Sequence, residues 1–393
     1  MKNKNVVVIG AGFAGLASAV MLAREGHSVT VFEKFAQPAS VGAGVLIQPT
    51  GLAAMRVLGI EAEILQQGAK IDWLYGVTPQ EKPIIDIHYQ AWRPDAYGVG
   101  LHRGVLFESL WRHAEAAGVR IVTGREISDF GELKTQFELI VIANGAHSTL
   151  RDKTGLKVHH RDYPWGALWA VLPDIDDTYT RQNALLQWYD QAHKMMGIMP
   201  TGQLPNSTAK VVSLFWSMHS NQVASWREKG LAAWKVEVLQ LNPNCEALLA
   251  QITDAAQLTW AHYADVVMPR YHTENCVVIG DAAHATSPQL GQGANMALLD
   301  AVTLSRCIAT TENIAAALAQ YTAQRRPHLH YYGAASRLLT PLFQSDQTLL
   351  PWLRDKLLPV TAKWPIIEDA HLQTLVGVRG GWVRGEAKHW LNP

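Results

Sequence analysis

The sequence is poor in cysteine and has no excess charge of either sign. Only 3 of its 393 residues are cysteines, and 34 lysine and arginine residues balance 34 aspartate and glutamate residues. Cys245, Cys276 and Cys307 form neither a CxxC pair nor a disulfide framework, which is typical of proteins in a reducing compartment such as the cytoplasm. The even charge gives no sign of a nucleic-acid partner, so we expect a small-molecule partner.

The sequence also lacks the run of roughly 20 apolar residues that a membrane helix needs. An apolar stretch over 6–23 follows two lysines, as in a signal peptide, but glycines interrupt it at a spacing typical of a nucleotide-binding turn. We therefore expect a soluble, cytoplasmic protein with no transmembrane segment. A chain of 393 residues is long enough for two domains.

The first forty residues have the pattern of a βαβ dinucleotide-binding unit. The run 6–9 (VVVI) predicts a buried parallel strand, and 10–15 (GAGFAG) supplies a turn into a helix. In such a turn the first glycine allows the bend, the second lets the backbone approach a pyrophosphate, and the third brings helix and strand together. Glu33 ends the second predicted strand, where a carboxylate can bind a ribose. The unit predicts an adenine dinucleotide but does not distinguish NAD from FAD.

A second motif follows the predicted strand 276–279. It reads GDAAH over 280–284, continues through Pro288, and ends in GQGAN over 291–295 at the start of a long helix. This segment resembles the GD motif of the class A flavoprotein monooxygenases, the family of para-hydroxybenzoate, salicylate and ubiquinone-pathway hydroxylases. In that family the aspartate, here Asp281, binds the ribityl chain of FAD. From the residues alone, Asp281 could instead cap the helix, and His284 is interpreted as a packed or hydrogen-bonding residue.

Three further segments match the same family. The sequence ANGAHSTLR over 143–151 resembles the DG motif, with Asn144 in place of its aspartate, and Arg103 matches an arginine that reaches the FAD. The segment 42–45 (GAGV) matches a flavin-contacting loop. From the residues alone, a surface ion-pair role is the lesser alternative for Arg103 and Arg151. The resemblance implies that FAD contacts Gly10, Gly12, Phe13, Ala14, Gly15, Glu33, Lys34, Gly44, Val45, Arg103, Asn144, Asp281, Pro288, Gly291, Gly293, Ala294 and Asn295.

The fold that these motifs predict is α/β, with a Rossmann-like FAD-binding domain of the GR2 type and an inserted, mostly antiparallel β-sheet domain for substrate. The predicted FAD-binding domain is discontinuous (1–70, 98–160 and 270–325), the substrate-binding domain covers 71–97 and 161–269, and a helical segment occupies 326–393. Trp188, Met199, Trp216 and Pro288 are candidates for an apolar substrate pocket, although for any single one of the first three the sheet core is the favoured interpretation.

The resemblance also implies a reaction. NAD(P)H, either NADH or NADPH, would reduce FAD, O2 would add at the flavin C4a to give a hydroperoxide, and this would hydroxylate a small phenol-, aniline- or quinone-precursor-like aromatic compound. We can assign no catalytic base from the sequence. We assign no metal site either, because His147 and the pair 159–160 have no metal-ligand partners at useful spacing. An FAD-dependent reductase of the same fold and a non-catalytic FAD-binding flavoprotein are the alternatives. The exact substrate, the effect of Asn144 and the choice between monomer and homodimer stay open.

Overall fold

A parallel β-sheet forms where the sequence has apolar runs without polar alternation. The computed structural model describes residues 1–393 except 2, 39–43, 363, 383, 384 and 393. In the sheet, Val7 pairs with Thr30 on one side and with Ile140 on the other. The strands lie in the order β15 (Cys276–Val278), β9 (Leu139–Ile142), β1 (Asn5–Ile9), β2 (Ser28–Phe32) and β8 (Arg120–Val122). Both faces of β1 and β9 are buried, as expected of a central parallel strand.

Helices cover this sheet. The helix that follows β1, α1 (Phe13–Arg24), packs against α4 (Arg103–Ala116) and against α10 (Gly293–Thr310). In turn, α10 packs against α11 (Ile314–Phe343), the longest of the described helices. Shorter helices in this part are α2 (Pro49–Leu58), α3 (Glu61–Gln67), α5 (Leu133–Gln136), α6 (Thr149–Asp152) and α9 (Asp281–His284). The carboxyl ends of β1, β9 and β15 therefore all lead into helix starts on one edge of the sheet.

A small antiparallel sheet adjoins this edge and connects it to the second half of the molecule. Its strands lie in the order β3 (Gly44–Ile47), β7 (Gly98–His102) and β4 (Ala69–Ile71). Gly100 of β7 approaches the large sheet so closely that a Cβ atom there would lie 1.9 Å from the carbonyl oxygen of Pro200. The two halves are therefore packed backbone to backbone at this point.

The large sheet is mostly antiparallel. Its strands lie in the order β14 (Thr259–Val267), β10 (His159–Pro173), β13 (Lys210–His219), β12 (Lys194–Gln203), β11 (Ala184–Asp190), β5 (Trp73–Val77) and β6 (Pro83–His88). Within this sheet, β11 and β5 are the only described strands that pair in parallel. The face turned away from the parallel sheet is covered by α7 (Val223–Leu241), kinked at Gly230, and by α8 (Glu246–Ala250).

These layers confirm the predicted α/β fold with its Rossmann-like sheet and its separate antiparallel sheet. The helical C-terminal segment is also confirmed, with α12 (Leu349–Thr361) and α13 (Pro365–Val376) following α11. The domain boundaries stay a prediction. Two strands cross these boundaries, since β4 runs from Ala69 to Ile71 and β10 begins at His159. None of the described helices is both long and apolar enough to cross a membrane.

Candidate FAD-binding and active site

The glycines of the first turn have different neighbours. Gly10 has a φ of +102°, and a Cβ there would lie 2.5 Å from the carbonyl oxygen of Ala143. At Gly15 a Cβ would lie 2.0 Å from the carbonyl oxygen of Gly10, whereas at Gly12 no atom of the described residues lies within 4 Å. Gly10 and Gly15 are therefore required by packing, and Gly12 borders open space. The first amides of α1, at Phe13 and Ala14, have no helical acceptor and can bind a phosphate there.

Glu33 is held beside this turn at the end of β2. Its buried carboxylate accepts hydrogen bonds from the amides of Ala11 (2.8 Å) and Phe35 (3.0 Å). These bonds fix its orientation and leave further lone pairs for a ribose hydroxyl. The Lys34 ammonium lies 4.8 Å from the centre of the Phe35 ring, so this side chain packs on its neighbour.

Arg103 and Asn144 carry buried polar atoms that no group of the described residues satisfies. The Nε of Arg103 and the Oδ1 of Asn144 are both buried without a hydrogen-bond partner. The Arg103 guanidinium also lies 5.3 Å from the centre of the Phe13 ring, above the start of α1. An unsatisfied buried polar group costs about 1–3 kcal/mol, so two of them beside a nucleotide-binding turn indicate a ligand. A dinucleotide with its diphosphate and hydroxyl groups fits these residues.

The GD segment and the start of α10 face each other. Gly280 and Gly291 have φ values of +58° and +60°, which favour glycine, and they turn the chain on either side of the exposed Pro288. A Cβ at Gly293 would lie 4.0 Å from the Asp281 carboxylate, which is itself exposed. The free amides at the start of α10, at Gly293 and Ala294, therefore lie close to this carboxylate.

Asn295 has a different environment from these neighbours. Its side chain is buried, accepts a hydrogen bond from the Gln48 amide (2.9 Å) and donates to the carbonyls of Leu46 and Gly291 (both 3.1 Å). It therefore ties β3 to the start of α10. Of the predicted loop 42–45, residues 42 and 43 lie outside the described residues. The amide of Gly44 donates to Ser213 Oγ at 2.8 Å, and Val45 is partly buried.

Arg151 joins the two distant motifs. Its guanidinium is buried and donates to the carbonyl oxygens of Ala146 (2.8 Å) and Ala282 (3.1 Å). The Oγ of Ser148 accepts from the Arg151 amide and caps α6. Arg151 is thus a structural link between the segment that carries Asn144 and the segment that carries Asp281, although it also contacts the exposed Asp152.

A buried charge network that the sequence reading missed supports the GD segment. The Asp300 carboxylate accepts from the Gly280 amide (2.8 Å), His284 Nε2 (2.5 Å) and Arg325 Nε (2.7 Å). Burial alone would raise the pKa of Asp300, but His284 and Arg325 lower this pKa below its usual range. The expectation that His284 is a hydrogen-bonding residue agrees with this contact. The sequence does show Asp300 as a single charged residue between Leu299 and Ala301, which could have indicated a buried ion pair.

The inner face of the large sheet, which faces the FAD-binding part, carries an aromatic cluster. Trp169 and Phe215 have ring centres 5.0 Å apart, and Trp169 Nε1 donates to the Tyr263 hydroxyl at 3.1 Å. Burial raises the pKa of Tyr263, against the opposing effect of Arg103. Met199 belongs to the same face, because a Cβ at Gly44 would lie 3.1 Å from its terminal methyl.

The four predicted pocket residues do not come together. Met199 and Pro288 lie on the side of the loops that carry the FAD-binding motifs, called here the cofactor loops. Trp188 and Trp216 instead belong to the cluster that packs under α7. The Trp216 ring lies edge-on to Trp234 of α7, with ring centres 6.4 Å apart. Side chains alternate between the faces of a strand, so Phe215 points inward where its neighbour Trp216 points outward. The sequence showed the aromatic residues but not which face they share.

A glycine turn, a buried carboxylate beside it and a facing GD segment on one sheet edge are the features of a dinucleotide-binding flavoprotein. Residues 3–332 match the FAD binding domain family, and the chain belongs to that family.

The chain is 29% identical over 362 residues to a kynurenine 3-monooxygenase of Salinispora arenicola, with 83% of this chain and 77% of the relative covered. It is 26% identical to a 6-hydroxynicotinate 3-monooxygenase of Bordetella bronchiseptica, with 81% and 87% covered. Its fold matches Klebsiella pneumoniae HpxO in complex with FAD and uric acid at a TM-score of 0.78, with 21% identity and with 95% and 97% of the two chains covered. The protein is an FAD-dependent monooxygenase.

Proposed function

We propose that the protein uses NAD(P)H and O2 to hydroxylate a small, electron-rich aromatic compound that carries a ring hydroxyl, a ring amino group or a ring nitrogen. The observation that carries this proposal is the cluster of Trp169, Phe215 and Tyr263 on the sheet face beside the cofactor loops. Aromatic side chains bind aromatic rings through offset and edge-on contacts. The relatives named for kynurenine and 6-hydroxynicotinate, both nitrogen-bearing aromatic compounds, support the same substrate class.

FAD, when bound, supplies the chemistry of hydride acceptance and oxygen activation. The chain holds it with the α1 amides, Glu33, Arg103 and Asn144, in the roles inferred above. The free amides at the start of α10 favour negative charge nearby, since a helix N-terminus carries a partial positive charge. The large sheet covers the site and excludes water. Because the sequence has a single βαβ dinucleotide fingerprint, which FAD takes, we infer that NAD(P)H binds only transiently.

Tyr263 is the polar group that we assign to substrate orientation. Its oxygen accepts the hydrogen of Trp169 Nε1 at 3.1 Å, which leaves its own O–H hydrogen to donate to a substrate oxygen or ring nitrogen. The raised pKa of Tyr263 keeps the hydroxyl protonated at neutral pH. A substrate that places an acceptor here and its ring against Phe215 would be held by one hydrogen bond and one aromatic contact.

The experiment is an anaerobic stopped-flow measurement of flavin reduction by NADH and by NADPH, with a panel of phenols, anilines and hydroxypyridines. We expect one nucleotide and a subset of the panel to accelerate the reduction. Phe215→Ala should then raise KM for the accepted compound about tenfold, since aromatic truncation in a pocket costs on the order of 1.4 kcal/mol. Trp188→Phe, on the outer face, is the control and should leave KM unchanged. Equal KM values for wild type and Phe215→Ala would contradict the proposed pocket.

A further inference from the structure

Three histidines from separate parts of the chain converge on one carboxylate at the molecular surface. The nearest nitrogens of His147, His160 and His262 each lie 3.9 Å from Oδ1 of Asp162. The rings of His147 and His160 are 5.4 Å apart, and those of His147 and His262 are 6.2 Å apart and stacked. The cluster is separate from the cofactor and substrate groups described above.

Strand register explains why three of these side chains share a face. His160 and Asp162 are two residues apart on β10, so they point the same way. They pair with Val266 and Ala264 of β14, and His262 is the next residue on that side of β14. A bulge between Asp162 and Gly166 adds local twist at this position. The close approach is therefore a consequence of backbone pairing.

His147 reaches the cluster from the FAD-binding part. It follows Asn144 and Gly145, whose φ of +88° turns the chain outward after β9, and it precedes Ser148, which caps α6. The sequence alone could not show that His147 and His262 lie together, because the two residues are far apart in the chain. The cluster thus spans the junction between the parallel-sheet part and the large sheet.

The geometry suits a small transition-metal ion. One ligand atom from each of His147, His160 and Asp162 lies within 4.8 Å of the others. His262 is outside this group of three, but its Nε2 lies 3.9 Å from the same Asp162 oxygen. Tetrahedral zinc with ligands at 2.0–2.1 Å requires ligand atoms about 3.3–3.4 Å apart, so modest side-chain rotations would close the site. All four side chains have the freedom to rotate, since their exposed fractions are between 31% and 64%. Imidazole ligands favour zinc, copper and nickel over magnesium or calcium, and three of the four side chains here are imidazoles.

We propose that His147, His160 and Asp162, with His262 as the fourth ligand, form a binding site for a divalent transition-metal ion of the zinc type. Such an ion links the loop after β9 to β10 and β14, and so stabilises the junction between the two parts of the molecule. The site is independent of the proposed hydroxylation, because none of its four residues belongs to the aromatic cluster or to the assigned FAD contacts.

The test is a zinc titration of the FAD-loaded protein with any affinity tag removed, followed by competition against a chromophoric chelator and by thermal unfolding. We expect one Zn²⁺ per chain and a higher Tm with zinc than with EDTA. His262→Ala and Asp162→Asn should each weaken zinc binding at least about tenfold and reduce the zinc-dependent rise in Tm.

His159→Ala is the matched control, because His159 is an exposed histidine on the same strand whose side chain points to the opposite face. It should bind zinc as tightly as wild type. The proposal is overturned if zinc does not bind at one equivalent, or if His262→Ala and Asp162→Asn bind it as tightly as His159→Ala. All variants should keep the visible spectrum of bound FAD, which separates a failed metal site from a failed fold.

Discussion

Gly12 and Gly15 lie in the same turn but have different constraints. A Cβ at Gly15 would collide with the carbonyl oxygen of Gly10 at 2.0 Å, while a Cβ at Gly12 would have no neighbour within 4 Å in the part of the chain that the structure describes. At the scale of the residue, Gly15 is therefore required for the fold, whereas Gly12 leaves room for the ligand. The motif alone shows the spacing, but only the structure shows which atom each glycine makes room for.

We predict that Gly12→Ala and Gly15→Ala fail in different ways. Gly15→Ala should lower the Tm of the FAD-free protein by several degrees or prevent folding, because helix and strand must separate. Gly12→Ala should leave the FAD-free Tm near that of wild type and weaken FAD binding, because the new methyl group occupies ligand space. Thermal unfolding without FAD and fluorescence titration with FAD check both. An unchanged FAD affinity in Gly12→Ala would contradict the assignment.

Arg103 allows a second test at this scale. Its buried Nε has no hydrogen-bond partner among the described residues, so Arg103→Ala should remove a cofactor contact without breaking a described protein hydrogen bond of this atom. A hydrogen bond to a charged group contributes roughly 1.5–3 kcal/mol, which corresponds to about a 10- to 150-fold weaker Kd for FAD. Arg112→Ala, on the same helix but exposed and paired with Glu63, is the control. Similar FAD affinities for the two variants would place Arg103 outside the cofactor site.

The start of α10 and the Asp300 network both position the GD segment, and only the first of these could be predicted from the sequence. The glycine-rich start of α10 was visible as a motif, whereas the Asp300 network depends on α10 and α11 being side by side. A lone aspartate in an apolar helix signals a buried partner but does not name it. In the same way, alternation along β13 predicts two faces, yet the tertiary packing decides that Phe215 faces the cofactor loops and Trp216 faces α7.

We predict that Asp300→Asn lowers the free energy of unfolding by about 3–5 kcal/mol at neutral pH, because Arg325 is left as a buried charge without its partner. Asp152→Asn, which changes an exposed carboxylate, should cost less than about 1 kcal/mol.

The pKa of Asp300 is lowered in the folded protein, so its contribution is present above the usual carboxyl range and is lost as the pH falls below about 4. Urea unfolding at several pH values measures this dependence. A difference between wild type and Asp300→Asn that does not shrink in acid would contradict it.

At the scale of the whole molecule, the C-terminal segment is tied to the FAD-binding part through the same network. Arg325 donates to His328 Nδ1 (2.8 Å), and His328 Nε2 lies 2.9 Å from the carbonyl oxygen of Gly377. His328 must therefore be neutral, with Nε2 carrying the hydrogen. The His328 ring also stacks on Trp390 with ring centres 4.6 Å apart. These contacts hold the end of α13 and the residues after it against α11.

We predict that His328 makes the protein less stable as the pH falls below about 6.5. Burial, and then the charge of Arg325, lower the pKa of His328 well below its usual value. The unfolded chain then binds a proton that the native protein does not, so this group's contribution decreases by up to about 1.4 kcal/mol per pH unit. His328→Gln should show a shallower decline than wild type between pH 7 and 5 in denaturant unfolding. Parallel declines would contradict the assignment.

The general architecture was accessible from the sequence, because the glycine motifs and apolar runs report on local backbone requirements. The βαβ unit, the Rossmann-like sheet and the helical C-terminal segment were all predicted in this way. Contacts between distant segments were not accessible. The link from Arg151 to Ala282, the Asp300 network and the histidine cluster around Asp162 each join residues that no local pattern connects. Trp188 and Trp216 were candidates by composition and lie on the outer face by packing.

We propose that this FAD-dependent monooxygenase inserts one oxygen atom into a small aromatic compound and consumes NAD(P)H. The most direct measurement is to reduce the FAD-loaded protein anaerobically with NAD(P)H and an accepted aromatic compound, and then admit oxygen-18 gas. We expect the aromatic product to carry one oxygen-18 atom and the flavin to return to its oxidised spectrum. Reduced flavin that is reoxidised with hydrogen peroxide as the only labelled product, for every aromatic compound that speeds its reduction, would contradict it.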